Sequence, residues 1–257
     1  MKQSLPILRT GTWLAAASLS AVLALWALAA YSGSVKPLFL PPPHKVFLAF
    51  GEMYREGILF SYTWDSVYRV MIGWSLAAAA AVPLGLLIAT SRRAASLLAP
   101  LMEFARYLPV VALVPLTLLY FGIGDGQKFA IIFLGTFFQL VLMVADSVAS
   151  VPPDLSRAAA TLGATRWQTY RLVLFPGALP GIMDDLRITV GWAWTYLVVA
   201  ELVAANSGLG YMILRAQRFL AIDRIFAGLL IIGVLGLLTD YLFKLLARVV
   251  TPWSERQ

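Results

Sequence analysis

The chain of 257 residues is 60% hydrophobic and 13% charged, with a mean hydropathy of +0.81. A soluble domain carries about a quarter charged residues, so this sequence has too few polar side chains to cover itself in water, and lipid must be part of its solvent. The absence of cysteine excludes disulfides, thiolate catalysis and cysteine-ligated zinc or iron centres. In so apolar a chain a net charge of +7 points to the anionic surface of a bilayer and away from nucleic acid.

A helix needs about 20 mostly apolar residues to cross a bilayer core. Runs of that kind lie near Trp13–Tyr31, Ser66–Thr90, Leu97–Phe121, Phe129–Ala145, Leu186–Ala204 and Ile225–Val250, which predicts an all-α polytopic membrane protein with about six transmembrane helices. The first run follows Lys2 and Arg9 and ends in Ala27-Leu28-Ala29-Ala30, a pattern shared with cleavable signal peptides. Its length and the spans that follow favour an uncleaved anchor. Residues 1–65 then form an amino-terminal span with an interfacial segment, and residues 66–257 a core of five spans.

Orientation follows from basic residues near the span ends. Lys2, Arg9, Arg92, Arg93, Arg157, Arg166, Arg171, Arg248 and Arg256 fall on one side and Lys36, Lys45, Arg55, Lys128, Arg215, Arg218 and Arg224 on the other, a shallow bias that predicts both termini in the cytoplasm. Pro41-Pro42-Pro43 forces a turn after the first span. His44, the single histidine, stands without cysteine or carboxylate neighbours and reads as a surface residue, and Val46–Tyr62 suits a short helix lying along the interface. Asp184-Asp185 reads as a helix amino-terminal cap, and Asp146 and Asp240 as helix-end residues. Nothing in the sequence assembles a catalytic constellation or a metal site.

Val151–Pro180 is too polar to span and too patterned for a loop. Asp154 after Pro152-Pro153 is a candidate cap, Ala158, Ala159, Ala160, Leu162, Ala164 and Trp167 mark an apolar face, Gly163 breaks the helix, and Pro176 and Pro180 end the segment that follows. This stretch resembles the signature of inner-membrane permeases of binding-protein-dependent ABC importers: Glu-Ala-Ala, three residues, Gly, nine residues, Ile, one residue, Leu-Pro. Arg157-Ala158-Ala159, Gly163, Val173 and Phe175-Pro176 hold those places at the right spacing. Arg157 replaces the glutamate, so no carboxylate contact is expected from that position.

More of the chain resembles the nitrate, sulfonate, taurine and bicarbonate branch of these permeases. Arg106-Tyr107-Leu108-Pro109 with Phe121-Gly122-Ile123-Gly124 is similar to its third span. Ala200-Glu201, Ala205–Tyr211 and Thr251-Pro252-Trp253 look most like taurine and aliphatic-sulfonate permeases. The resemblance implies the type I importer permease fold, with a coupling helix near residues 154–170 that docks into an ATPase through Arg157, Ala158, Ala159, Gly163, Ala164 and Pro176. It implies no cofactor on this chain, with ATP and Mg held by the partner. The partners it implies are two cytoplasmic ATP-binding subunits, a second permease copy and an extracytoplasmic substrate-binding protein. The expected solute is taurine or another organic sulfonate, with nitrate or bicarbonate next.

No Walker-type Gly-Lys-Ser or Gly-Lys-Thr loop occurs in the chain, which agrees with a separate ATPase. A secondary transporter is the competing class, but the internal repeats typical of such carriers are not evident. Arg106 and Glu201, charges in or beside apolar runs, are candidates for the translocation path or its gate.

Overall fold

The computed structural model describes residues 7–254, without the side chains of 7–12, 15 and 204. Lys2, Arg256 and the Arg9 side chain, used above for orientation, lie outside the described residues. The described residues are helical with short connections: α1 (Ile7–Tyr31), α2 (Pro43–Arg55), α3 (Ile58–Thr90), α4 (Arg92–Ala105), a 3-10 turn (Val110–Leu113) leading into α5 (Val114–Phe121), α6 (Asp125–Ala149), α7 (Pro153–Thr161), α8 (Arg166–Thr169), a π turn (Tyr170–Leu174) leading into α9 (Phe175–Ala204), α10 (Leu209–Arg218) and α11 (Ile222–Val250). Helices α3, α6 and α11, with α8 continued into α9, are long and apolar enough to cross a membrane, and α4 with residues 110–121 forms a fifth candidate bent by 89°. The apolar part of α1, Ala16–Tyr31, is shorter, although α1 itself runs 25 residues. The polytopic all-helical architecture is therefore as the sequence predicts.

The chain divides into two compact units. In the first, residues 1–60 and 212–229, α2 buries Val46, Ala49 and Met53, positions that share one helical face. Trp26 donates to Pro41 O at 3.0 Å and stacks on Phe226, and Tyr31 shares a 2.6 Å hydrogen bond with Nδ1 of His44. The histidine is thus an exposed residue with an aromatic partner. Arg224 bridges Glu52 and Glu56, and its hydrogen bond holds the exposed Glu56 carboxyl below the usual carboxylate range. The interfacial helix is shorter than expected: α2 ends at Arg55 and the next helix has begun by Ile58.

The second unit, residues 61–211 and 230–257, is built around α3, α6 and α9. One cluster joins Ala81, Leu86 and Ile88 of α3 to Leu140, Val141, Val144 and Val148 of α6 and to Ala178 and Ile182 of α9. A second joins Val70 and Trp74, Ile132, and Val190, Ala193 and Leu197. Apolar side chains gain nothing by leaving lipid for a similar interior, so close packing and internal hydrogen bonds must hold such helices together. Both are present. Trp74 donates to Thr189 at 3.2 Å and Trp194 to Thr239 at 3.3 Å.

Three expectations are corrected. Asp184 and Asp185 do not open a helix; they lie inside α9, where Asp184 faces Arg187 at 3.7 Å and buried Asp185 accepts from Ser147 at 2.7 Å. Asp240 is no helix-end residue either, since it lies within α11 and pairs with Arg187 at 3.4 Å and Lys244 at 2.5 Å. Pro176 and Pro180 do not end their segment. The chain stays helical through both: Pro176 occupies the first turn of α9, directly after the π turn in which Phe175 N–H bonds Tyr170 O, and Pro180 lies inside α9.

Gly85 shows the demand of close packing: a Cβ there would stand 2.6 Å from Val141 O and 2.8 Å from Val144. Overpacking at such a contact costs about 1–3 kcal/mol. Gly85→Val is expected to lower the thermal unfolding temperature of the detergent-purified protein, whereas Gly233→Val, at a position with open space around it, leaves it near the wild-type value.

Candidate functional site: coupling segment, broken span and buried ion pair

Three features of the second unit carry polar chemistry or irregular backbone. The first is the segment after α6. Pro152 precedes α7 and Pro153 occupies its first turn, where a missing N–H costs nothing. Asp154 lies in that first turn instead of at the cap and forms an exposed 2.9 Å pair with Arg157. At the other end Gly163 N–H bonds Ala160 O and Ala164 N–H bonds Ala159 O, both at 3.0 Å, and Gly163 has φ +79°. This is a Schellman cap, whose left-handed residue is usually glycine because a Cβ strains it. Nothing lies within 4 Å of a Cβ built on Gly163, so within this chain its requirement is conformational. Thr165 and Gln168 then form a capping box that starts the helix leading into α9.

The apolar residues of α7 and of the chain that follows it divide between two concavities. Leu155, Ala158, Ala159 and Leu162 join Pro176 and Trp253 in an open groove of about 510 Å³. Ala160, Ala164, Trp167 and Tyr170 line a larger cavity of about 990 Å³ toward α3 and α6. Among the signature positions, Ala158, Ala159 and Pro176 therefore share one groove, Gly163 and Ala164 build the turn, and Arg157 points to solvent.

The second feature is the break between α4 and α5. Pro109 lacks an amide donor and disfavours helix in Leu108, and the chain turns through 89° there. The break opens a cavity of about 560 Å³ walled by Ala105–Val110, by Leu134, Gly135, Phe138 and Gln139 near the middle of α6, and by Trp192, Thr195 and Tyr196 of α9. Arg106 donates to Tyr107 Oη at 3.1 Å and reaches Gln139 Oε1 at 3.5 Å, and its guanidinium lies 4.9 Å from the Tyr107 ring centre. Among the described residues no carboxylate pairs with it. Trp192 faces this cavity while Trp194 is buried, as their alternate positions on one helix require.

The third feature is a buried ion pair at the end of α6 and α9 away from α7. Glu201, with no exposed surface, accepts from Arg69 Nη1 at 2.7 Å and from Gly210 N–H at 2.8 Å, and Ser66 Oγ stands 2.9 and 3.0 Å from its oxygens. Arg69 also donates to Asp125 at 2.7 Å, to Ser207 O at 2.7 Å and to Ser207 Oγ at 3.0 Å. Glu201 and Arg106 are not brought together. Their surroundings are separated by roughly 20 Å along α6, from Asp125 to Gln139, at the helical rise. Arg69 is a buried, paired charge that no sequence motif marks, although an arginine close behind Ser66 in an apolar run is itself such a signal.

The family model described as "Binding-protein-dependent transport system inner membrane component" matches residues 81–252. The chain is 35% identical to the taurine transport system permease protein TauC of Escherichia coli (strain K12), over 98% of this chain and 94% of that protein. It is also 35% identical to the putative aliphatic sulfonates transport permease protein SsuC of Bacillus subtilis (strain 168), over 91% of this chain and 85% of that one. Among solved structures, the inward-facing MetNI methionine ABC transporter superposes with a TM-score of 0.68 over 76% of this chain and 96% of the matched chain, at 22% identity.

The fold is thus that of an ABC importer permease, a membrane transport subunit and not an enzyme. The chain belongs to the family of inner-membrane components of binding-protein-dependent transport systems.

Removing one partner from a buried pair leaves an uncompensated charge and costs about 3–5 kcal/mol, whereas a half-exposed pair contributes about 1 kcal/mol or less. Arg69→Met, which strands buried Glu201, is expected to destabilise the detergent-purified protein far more than Asp125→Asn, whose carboxylate is 46% exposed. Equal shifts in unfolding temperature contradict the network.

Proposed function

We propose that this chain is the solute-conducting subunit of an ATP-driven importer of taurine or another small organic sulfonate. Two copies form the path, two cytoplasmic ATP-binding subunits holding ATP and Mg drive it, and an extracytoplasmic binding protein delivers the solute. Both termini face the cytoplasm in this reading, which the basic residues Arg92, Arg93, Arg157, Arg166 and Arg171 support. The single observation that carries the proposal is the α7 segment: a short helix ending in a left-handed glycine, with an apolar groove beside it and the signature residues Ala158, Ala159 and Pro176 lining that groove. An amphipathic helix fitting into a partner's cleft is an established mode of recognition, and the stiff Schellman turn into α8 and α9 supplies a lever from the docked helix to the membrane core. The sulfonate assignment draws on the names of the taurine and aliphatic-sulfonate relatives.

In this reading Glu201 serves the gate and does not bind the anion. With Ser66 and Arg69 it fixes the turn between α9 and α10 at the extracytoplasmic end, where a carboxylate that met the solute would repel it.

Two experiments test the proposal. Vesicles holding the permease, its ATPase and its binding protein are expected to take up taurine or an alkanesulfonate only with ATP; uptake that persists without the ATPase subunit contradicts the account. Gly163→Leu places a branched side chain on a φ +79° residue, where left-handed backbone costs about 1–2 kcal/mol. It is expected to insert normally while weakening ATPase co-purification about tenfold, and Gly163→Asn, which tolerates that backbone better, is expected to weaken it less. Full association of Gly163→Leu overturns the coupling role.

A further inference from the structure

From the cavity at the α4–α5 break we infer that it is the site where the permease itself holds the solute, with Arg106 receiving the sulfonate group and the aromatic wall receiving the organic portion. This rests on the importer reading above and adds a solute-binding site within the permease core.

The cavity has the size and chemistry for such a ligand. Its volume of about 560 Å³ lies inside the range of roughly 300–1,000 Å³ usual for organic ligands and far exceeds what a bare nitrate or bicarbonate needs. Arg106 is the only charged residue among those lining it, and a guanidinium with no carboxylate partner among the described residues favours an anion. Its two internal contacts, to Tyr107 at 3.1 Å and Gln139 at 3.5 Å, leave most of its five donors free, and the planar fork suits two oxygens of one oxyanion. The Tyr107 hydroxyl, the Gln139 amide and the Thr195 hydroxyl line the same space and can donate to the remaining oxygen.

No carboxylate is among the lining residues. Trp192 and Tyr196 add aromatic rings to the wall, and the absent Cβ at Gly135 is what admits the Tyr196 ring against α6. An alkyl chain packs on such rings and an ammonium group is attracted to their faces. The site therefore selects for the sulfonate and tolerates either end group. The location also fits, because the break faces the middle of α6, and irregular backbone within a span is tolerated where it lines a polar cavity.

The test uses the permease–ATPase complex in nanodiscs without the binding protein, with ethanesulfonate, taurine and ethylammonium as probes followed by calorimetry and by tryptophan fluorescence. Ethanesulfonate and taurine are expected to bind comparably and ethylammonium not to bind. Arg106→Gln is expected to lose about tenfold or more in sulfonate affinity, the scale of one charge-assisted hydrogen bond. Arg106→Lys keeps part of it, and Gln139→Leu and Thr195→Val each weaken it less. Co-purification with the ATPase establishes that each variant is folded, and the two neutral-residue variants carry the test if Arg106→Gln does not assemble.

Unchanged sulfonate affinity in Arg106→Gln, or ethylammonium binding as well as ethanesulfonate, overturns the assignment. Uptake by vesicles containing the binding protein separates the two levels. Wild-type uptake of taurine with equal uptake by Arg106→Gln refutes the site alone, and no wild-type uptake of any sulfonate refutes the importer reading together with the site.

Discussion

Every polar group that enters the hydrocarbon must find its partner inside the protein, because lipid offers none. Arg69 and Glu201 show how far that requirement shapes this chain. The Glu201 carboxylate is matched by a guanidinium, a hydroxyl and a backbone amide, and the same guanidinium gathers Asp125 and the Ser207 carbonyl. Helices α3, α6 and α9 and the turn into α10 are thereby tied at one end by charge. The glycines of that turn follow from the same pair: Gly208 has φ +106°, and a Cβ on Gly210 would stand 2.7 Å from Glu201 Cβ.

At the other end of α6 and α9 the chain solves a different problem, how to leave the membrane, turn and return stiffly. Prolines begin α7, a Schellman glycine ends it, a capping box begins α8, and a π turn carries the helix past Pro176. Between the two ends lies the one span among the described residues that is broken outright, at Arg106–Pro109. Irregular backbone exposes donors and acceptors that a regular helix hides, so the segments available to bind a partner or a solute are those where the helix pattern fails. The polar anchor, the broken span and the returning lever thus occupy successive depths of one bundle, and α6 runs past all three.

Much of this was legible in the sequence. Apolar runs of span length mark the long helices because length and composition suffice in lipid, and Gly163 announces a helix end because few other residues take its backbone conformation. Other features were legible only in part. Pro176 and Pro180 carry the usual signal of helix termination, but α9 begins at Phe175 and runs on through both, and Asp184 and Asp185 therefore looked like the opening of a helix when they lie within one. Arg69 obeys the rule that singles out Glu201, yet a single arginine near the start of an apolar run resembles an interface anchor until its carboxylate partners, 56 and 132 positions away in sequence, are seen. The split of the α7 alanines between two concavities depends on the chain's return through Tyr170 and Pro176, which no local pattern encodes.

The central claim is that the α7 segment meets an ATPase at the end of the bundle away from Glu201. The chain contains no cysteine, so single cysteines placed by Leu162→Cys and by Ile123→Cys, at residues 87% and 77% exposed, report on the two ends with no background. The account predicts disulfide or bismaleimide cross-linking of the ATPase subunit to the Leu162→Cys variant and none to the Ile123→Cys variant. Cross-linking of the ATPase through position 123, or through neither position in a complex that still hydrolyses ATP, contradicts it.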